Sequence, residues 1–284
     1  MAELGKSNDL VIVRDSDHGF FLDGGELGEI LLPNNEVPEG VEQGDLVDVF
    51  VALDSEDRIV ATTQKPVCEV DQFAALEVKE VNSNIGAFLD WGLTKDLLLP
   101  FREQPRRVRK GEVAVVRVLV DEVSQRIIAT GRTNRFLNQS RPRYTTGEKV
   151  DLIIQERSPL GYLAIVNQAH RGLLHHSQLT RPLRIGETME GYIAAVKEGD
   201  KIDLSLEPVG YGRVTSLSER ILEKLKENGG RLELNDKSPP EEIRRAFGCS
   251  KKAFKQAVGA LYRERVVQLV DGGIELLPQS AADR

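Results

Sequence analysis

The chain has 284 residues, 40% of them hydrophobic and 29% charged, with a formal net charge of −7 at neutral pH. That balance fits a soluble globular chain, and no apolar run approaches the roughly 20 residues that cross a bilayer. Residues 1–5 lack the basic and apolar regions of a signal peptide, and Cys68 and Cys249 stand far apart without ligand spacing, so the expected location is a reducing cytoplasm.

The charge is unevenly spread. Residues 1–66 hold 4 Lys+Arg against 15 Asp+Glu, and residues 67–143 hold 13 against 10. A polyanion partner would therefore be held by local patches rather than by a global field.

The first stretch reads as five short strands, at residues 9–14, 19–23, 29–32, 46–53 and 59–63. A longer connection carrying Pro33, Asn34, Asn35, Pro38 and Gly40 follows the third. Five strands with that one long connection predict a Greek-key OB barrel. The pattern then recurs. Gly19, Gly86 and Gly161 act as rulers. Pro33, Pro100 and His175 lie 14 residues beyond them, and Gly44, Gly111 and Gly186 lie 25 beyond, each opening a strand. Self-similarity at a spacing of 67 to 75 residues means one small domain repeated three times.

In the second copy the long loop gathers Arg102, Arg106, Arg107, Arg109 and Lys110. A further cluster, at residues 132–136 and 141–144, sets Phe136 and Tyr144 among arginines. Arginines interleaved with aromatics can hold phosphates and stack bases, although an ordinary solvated loop stays open as a reading. The third copy carries Gly172-Leu173-Leu174-His175-His176-Ser177-Gln178-Leu179 where the others have Leu-Leu-Pro.

From about residue 214 the pattern changes. Residues 218–227 read as a helix stopped by Gly229-Gly230, and residues 231–234 as a short strand. Ser238 reads as the N-cap of a helix ending at Gly248. Ser250 caps a longer helix over residues 251–265, with Phe254, Val258, Leu261 and Tyr262 on its apolar face. A hairpin turning at Asp271-Gly272 closes the unit. This order is a winged helix. The fold class is thus mainly β with a C-terminal α+β domain. It comprises three tandem OB-fold, five-stranded barrels at 1–66, 67–138 and 142–208, then a winged helix at 213–278.

The third copy, with Gly-Leu-x-His-x-Ser-x-Leu after its ruler glycine, resembles the S-one RNA-binding repeat, and the likeness extends in three copies over residues 1 to about 208. The order of three such repeats and a winged helix, with the Asp54-Ser55-Glu56-Asp57-Arg58 turn, resembles the conserved virulence factor B family of bacterial cytoplasmic proteins. The resemblance implies RNA binding across one barrel face and a role in post-transcriptional regulation.

That family's contact positions are matched here only in part. The first copy offers His18, Phe21, Asp54 and Arg58, with Pro33 in the histidine place. The second offers Phe88, Asp121 and Arg126, with Ile85 and Pro100. The third keeps His175, has Leu160 and Leu163 at the aromatic places, and offers Lys197 and Lys201. Tyr162, one residue from the expected place, should face the other side of its strand. Phe21 and Phe88 could equally be core, His175 a rim residue, and Asp54 with Arg58 turn chemistry. His18, His170 and His176 read as surface histidines.

No phosphate loop, zinc spacing or nucleophile elbow appears, so no catalytic residue, metal or cofactor is expected. The candidate RNA-binding set is Phe21, Arg58, Phe88, Arg106, Arg107, Arg109, Arg126, His175 and Lys201, joined by Lys251, Lys252 and Lys255 of the winged helix. Single-stranded RNA is the expected partner of a monomer. The ribosome or RNA-processing proteins are further candidates, duplex DNA ranks behind, and no membrane is involved. Two other readings stand beside it, a winged-helix transcription regulator on DNA and a ribosome-associated or protein-interaction adaptor. The acidic first copy favours the adaptor role for residues 1–66.

Overall fold

The structure is a computed structural model that describes residues 1–179, 181–208 and 211–277, with backbone alone for 211–216. The first five strands are β1 (Ser7–Arg14), β2 (Gly19–Asp23), β3 (Glu29–Pro33), β4 (Leu46–Leu53) and β5 (Ile59–Thr62). They close into a barrel in the order β1-β2-β3-β5-β4. The second set is β6 (Phe73–Asn82), β7 (Gly86–Asp90), β8 (Leu97–Pro100), β9 (Val113–Val120) and β10 (Ile127–Thr130). The third is β11 (Lys149–Arg157), β12 (Gly161–Val166), β13 (His170–His175), β14 (Thr188–Lys197) and β15 (Lys201–Ser205). Both repeat the same closed order. Closure leaves no flat sheet edge to aggregate, which a domain this small could not shield otherwise.

The ruler glycines have a steric cause. Gly19 lies opposite Pro33, Gly86 opposite Pro100 and Gly161 opposite His175. A Cβ at these glycines would sit 2.0, 2.3 and 1.9 Å from the carbonyl oxygens of Leu32, Leu99 and Leu174. Only glycine lets the two strands approach so closely. A register shift recurs at one place in each first strand, between Ile12 and Arg14, Val78 and Glu80, and Ile154 and Glu156. Such a bulge bends a strand and helps a short sheet curl shut.

Two compact units emerge, residues 1–142 with 151–190, and residues 143–150 with 191 onward. Within the former, the first two barrels share a core. Phe50 of β4 meets Trp91 edge-on, with ring centroids 5.7 Å apart, and the Trp91 Nε1 donates to the Lys95 carbonyl at 2.7 Å. Val70 N–H donates to the Gly5 carbonyl at 2.8 Å, which ties the linker back to the first barrel. Further along, Phe73, Leu137, Ile153 and Ile165 form a second apolar cluster. The Gln168 side chain bonds both backbone groups of Phe73, much as a neighbouring strand would.

The later unit carries α1 (Tyr211–Glu227), β16 (Arg231–Leu232), α2 (Pro240–Phe247), α3 (Lys251–Arg263), β17 (Val267–Val270) and β18 (Gly273–Leu276). Ile221, Leu225, Ile243, Phe247, Phe254, Val258 and Leu261 pack its core, so the winged helix is as expected. Four details differ. First, α1 begins at Tyr211 rather than at residue 218, running through Gly212, Val214 and Thr215 despite their weak helix propensity. Second, Ser238 is not the N-cap of α2. Its Oγ accepts from Asn235 N–H at 3.0 Å, and Pro239 and Pro240, which lack an N–H, give it no donor next in line. Third, Ser250 does cap α3, accepting from Ala253 N–H, but the helix stops at Arg263. Finally, Tyr262 is 53% exposed, since Phe254, Val258 and Leu261 already fill the buried stripe and Tyr262 falls beside it. In the other unit His170 is buried rather than a surface residue, because its Nε2 is tied to the Ser140 carbonyl at 2.9 Å.

Candidate nucleic-acid interface

Strand alternation builds an outward apolar ridge on the first barrel. Phe21 on β2 lies opposite Leu31 on β3, and Leu31 opposite Val60 on β5. All three are half-buried, while Leu22, Ile30, Leu32 and Ala61 between them point into the core. Phe21 is therefore a face residue, but its ring is already covered. The Arg14 guanidinium sits 3.6 Å from the ring centroid and is held by Glu29 at 2.7 Å. Beside the ridge, Arg58 donates through Nε to Asp54 at 2.7 Å and reaches Glu56 at 3.2 Å. The Asp54 bond holds the Arg58 guanidinium above its ordinary value. Asp54 also accepts from the backbone N–H groups of Glu56 and Arg58, so this pair closes the β4–β5 turn.

On the second barrel the same register places Phe88 opposite Leu98 and Leu98 opposite Ile128. Here the ridge borders a cleft of about 430 Å³. Ile85, Phe88, Leu98 and Ile128 line one side, and Leu53, Ser55 and Asp57 of the first barrel line the other. Arg126 pairs with Asp57 across the cleft. Lys95 donates to the Asp54 carbonyl at 2.6 Å and lies 3.4 Å from Asp57. An aromatic face, an apolar ridge and two cations thus meet in one place, and the sequence-predicted Phe88 and Arg126 line the same cleft.

The arginine loop lies elsewhere. Arg106 bonds Glu112 at 2.9 Å and lines a separate cleft of about 440 Å³ together with Arg132 and Arg135. Its bond to Glu112 keeps that carboxyl below the usual carboxylate range. Arg107 stacks 3.7 Å from the centroid of Phe101, and Arg109 is exposed in the same loop. Asp121, expected as a contact, instead organises the β9–β10 turn. It accepts from Ser124 and pairs with Arg102 at 2.6 Å, and these bonds, Ser124 first, hold its carboxyl below the ordinary value.

His175, opposite Gly161, is half-buried at the end of β13, and Leu163 opposite Leu173 takes the place of an aromatic platform. Tyr162 faces inward, 5% exposed and edge-on to His176 at 5.4 Å. Lys201 is exposed opposite Lys197, which itself pairs with Asp203. In the winged helix Lys251 donates to the Ser238 carbonyl at 2.9 Å, Lys255 lies 3.6 Å from Asp236, and Lys252 is exposed. Among the described residues no group of acidic, cysteine and histidine side chains is arranged to hold a metal ion. No helix among them is long and apolar enough to cross a membrane.

The profile of the CvfB-like winged helix domain matches residues 219–276, and that of the S1 domain matches residues 4–64. Conserved virulence factor B of Staphylococcus epidermidis is 24% identical over 282 residues, spanning 96% of this chain and 94% of its own length. The chain is thus similar to conserved virulence factor B over nearly its whole length. The homologue from Staphylococcus aureus strain USA300 is 24% identical over 83% of this chain and 81% of its own. YitL of Bacillus subtilis is 29% identical over 94% and 92%. A crystal structure of a multidomain protein with nucleic acid binding domains from Streptococcus pneumoniae covers 96% of this chain and 98% of its own, at 26% identity and a TM-score of 0.45. S1-type OB barrels and winged helices are nucleic-acid-binding folds, so nucleic-acid binding is the function class to which these domains point.

Several contributors to the face are invisible at the level of motifs. Leu31 with Val60, and Leu98 with Ile128, could be found by counting alternate strand positions from the ruler glycine. Arg14 over Phe21 and Asp57 against Arg126 carry no such signal.

Proposed function

We propose that this chain binds single-stranded RNA and acts in post-transcriptional regulation. The second barrel is the main reader, and the winged helix assists through Lys251, Lys252 and Lys255. The observation that carries this reading is the half-buried Phe88–Leu98 pair, backed by the buried Ile128, beside Arg126 and Lys95 in one cleft. A half-buried aromatic face next to cations suits an unstacked base with its phosphate, whereas bases inside a duplex keep their faces covered. The first barrel is a weaker candidate, because Arg14 covers Phe21 and the acidic turn engages Arg58. His175 and Lys201 are assigned supporting phosphate or sugar contacts.

The test is fluorescence anisotropy with labelled single-stranded RNA, comparing wild type and Phe88→Ala. Stacking on an aromatic is worth roughly 1–3 kcal/mol per base, so the variant should bind about 5- to 150-fold more weakly. Its circular dichroism should match wild type, since Phe88 lies outside the barrel core. Unchanged affinity would remove Phe88 from the interface.

A further inference from the structure

The second barrel's cleft is not built by the second barrel alone. The β4–β5 turn of the first barrel, Asp54 to Arg58, projects the Asp57 carboxylate against the cations that border Phe88. Asp57 pairs with Arg126 and lies 3.4 Å from Lys95, and Lys95 also donates to the Asp54 carbonyl at 2.6 Å. Both partners stay partly open to solvent, at 55% for Arg126 and 32% for Asp57, so an incoming anion can reach them. Asp57 is fixed with a positive φ of 63°, which aims the carboxylate without help from a regular strand. Arg58, bonded to Asp54 and Glu56, leaves the Asp57 carboxylate to the second barrel.

We propose that Asp57 is a built-in competitor for nucleic-acid phosphate at the second barrel, occupying Arg126 and Lys95 until a polyanion displaces it. The first barrel thereby sets the affinity of the cleft it borders, which gives its excess of acid a role other than contact with RNA. A carboxylate and a phosphate oxygen bond a guanidinium in the same geometry, so one replaces the other without rearranging the cation. Glu80 and Asp96 also line the cleft, but Asp96 is engaged by Lys79 at 2.9 Å. Asp57 is the carboxylate that meets both bordering cations. This inference rests on the reading of the Phe88 cleft as the RNA site.

The experiment titrates labelled single-stranded RNA into full-length wild type, Asp57→Asn and Glu56→Gln at several salt concentrations. Asparagine tolerates the left-handed backbone as aspartate does, so Asp57→Asn should fold normally. Glu56→Gln removes the same charge from the same turn without touching Arg126 or Lys95. An exposed ion pair of this kind is modest in strength, so Asp57→Asn should bind about two- to fivefold more tightly than wild type, with Glu56→Gln close to wild type. The salt dependence of Asp57→Asn should also steepen, by about 0.7 in the logarithmic slope for each additional phosphate neutralised. Equal effects of the two substitutions, or weaker binding by Asp57→Asn, would overturn the competitor while leaving the RNA site intact. If neither wild type nor Asp57→Asn binds the RNA, both the competitor and the reading on which it rests fall.

Discussion

Gly86 leaves no room for a side chain. A Cβ there would lie 2.3 Å from the Leu99 carbonyl oxygen, on a backbone with φ of 152°. Gly86→Ala should cost about 1–3 kcal/mol in backbone strain before the clash is counted, lowering the urea midpoint markedly; a midpoint unchanged from wild type would refute the steric account. At Cys68, 4% exposed, burial pushes the thiol up to about 12. Native protein should therefore resist alkylation at Cys68 near pH 8 and react once unfolded, as mass spectrometry of the labelled peptide would record. Asp121 gives a pH signature. Its folded carboxyl lies below the reference value of 3.8, so its bonds to Ser124 and Arg102 stabilise the fold above that pH and weaken as pH falls through the depressed value. Asp121→Asn should melt below wild type at about pH 6, and the gap should narrow as pH falls below 3.8. A gap independent of pH would mean that the turn depends on shape rather than charge.

At the scale of elements, the arginine loop after β8 and the Phe88 cleft are distinct surfaces, and each asks for its own test. Arg106 and Arg107 are engaged by Glu112 and Phe101, so they hold the loop in shape before any ligand arrives. Reversing both to glutamate should flatten the salt dependence of RNA binding by about 0.7 for each phosphate the loop no longer neutralises; an unchanged slope would take the loop out of the interface. The strands were legible in the sequence because the close approach at Gly19, Gly86 and Gly161 forces the same residue at the same offset. The winged helix was legible through Ser250, Gly248 and the Asp271-Gly272 turn, whose roles are local. Long-range partnerships escaped. Asp57 and Arg126 are 69 residues apart, His170 is buried through Ser140, and Tyr262 turns outward because Leu261 already fills the stripe. Pairing across barrels depends on packing that no local pattern encodes.

At the scale of the whole molecule, one barrel design has diverged into three surfaces. The first is acidic, with its aromatic covered by Arg14. The second keeps an aromatic ridge beside cations, and the third replaces the aromatic with Leu163 while keeping His175. Such divergence favours a divided binding surface over three equal sites, and a chain whose affinity depends on a few phosphate contacts rather than on its net charge. The most direct test of the central claim is anisotropy of the full chain with labelled single-stranded RNA and duplex DNA of equal length at two salt concentrations. Tighter binding to single-stranded RNA at both, weakening as salt rises, is the expected result. Preference for duplex DNA would contradict it and make the winged helix the reader.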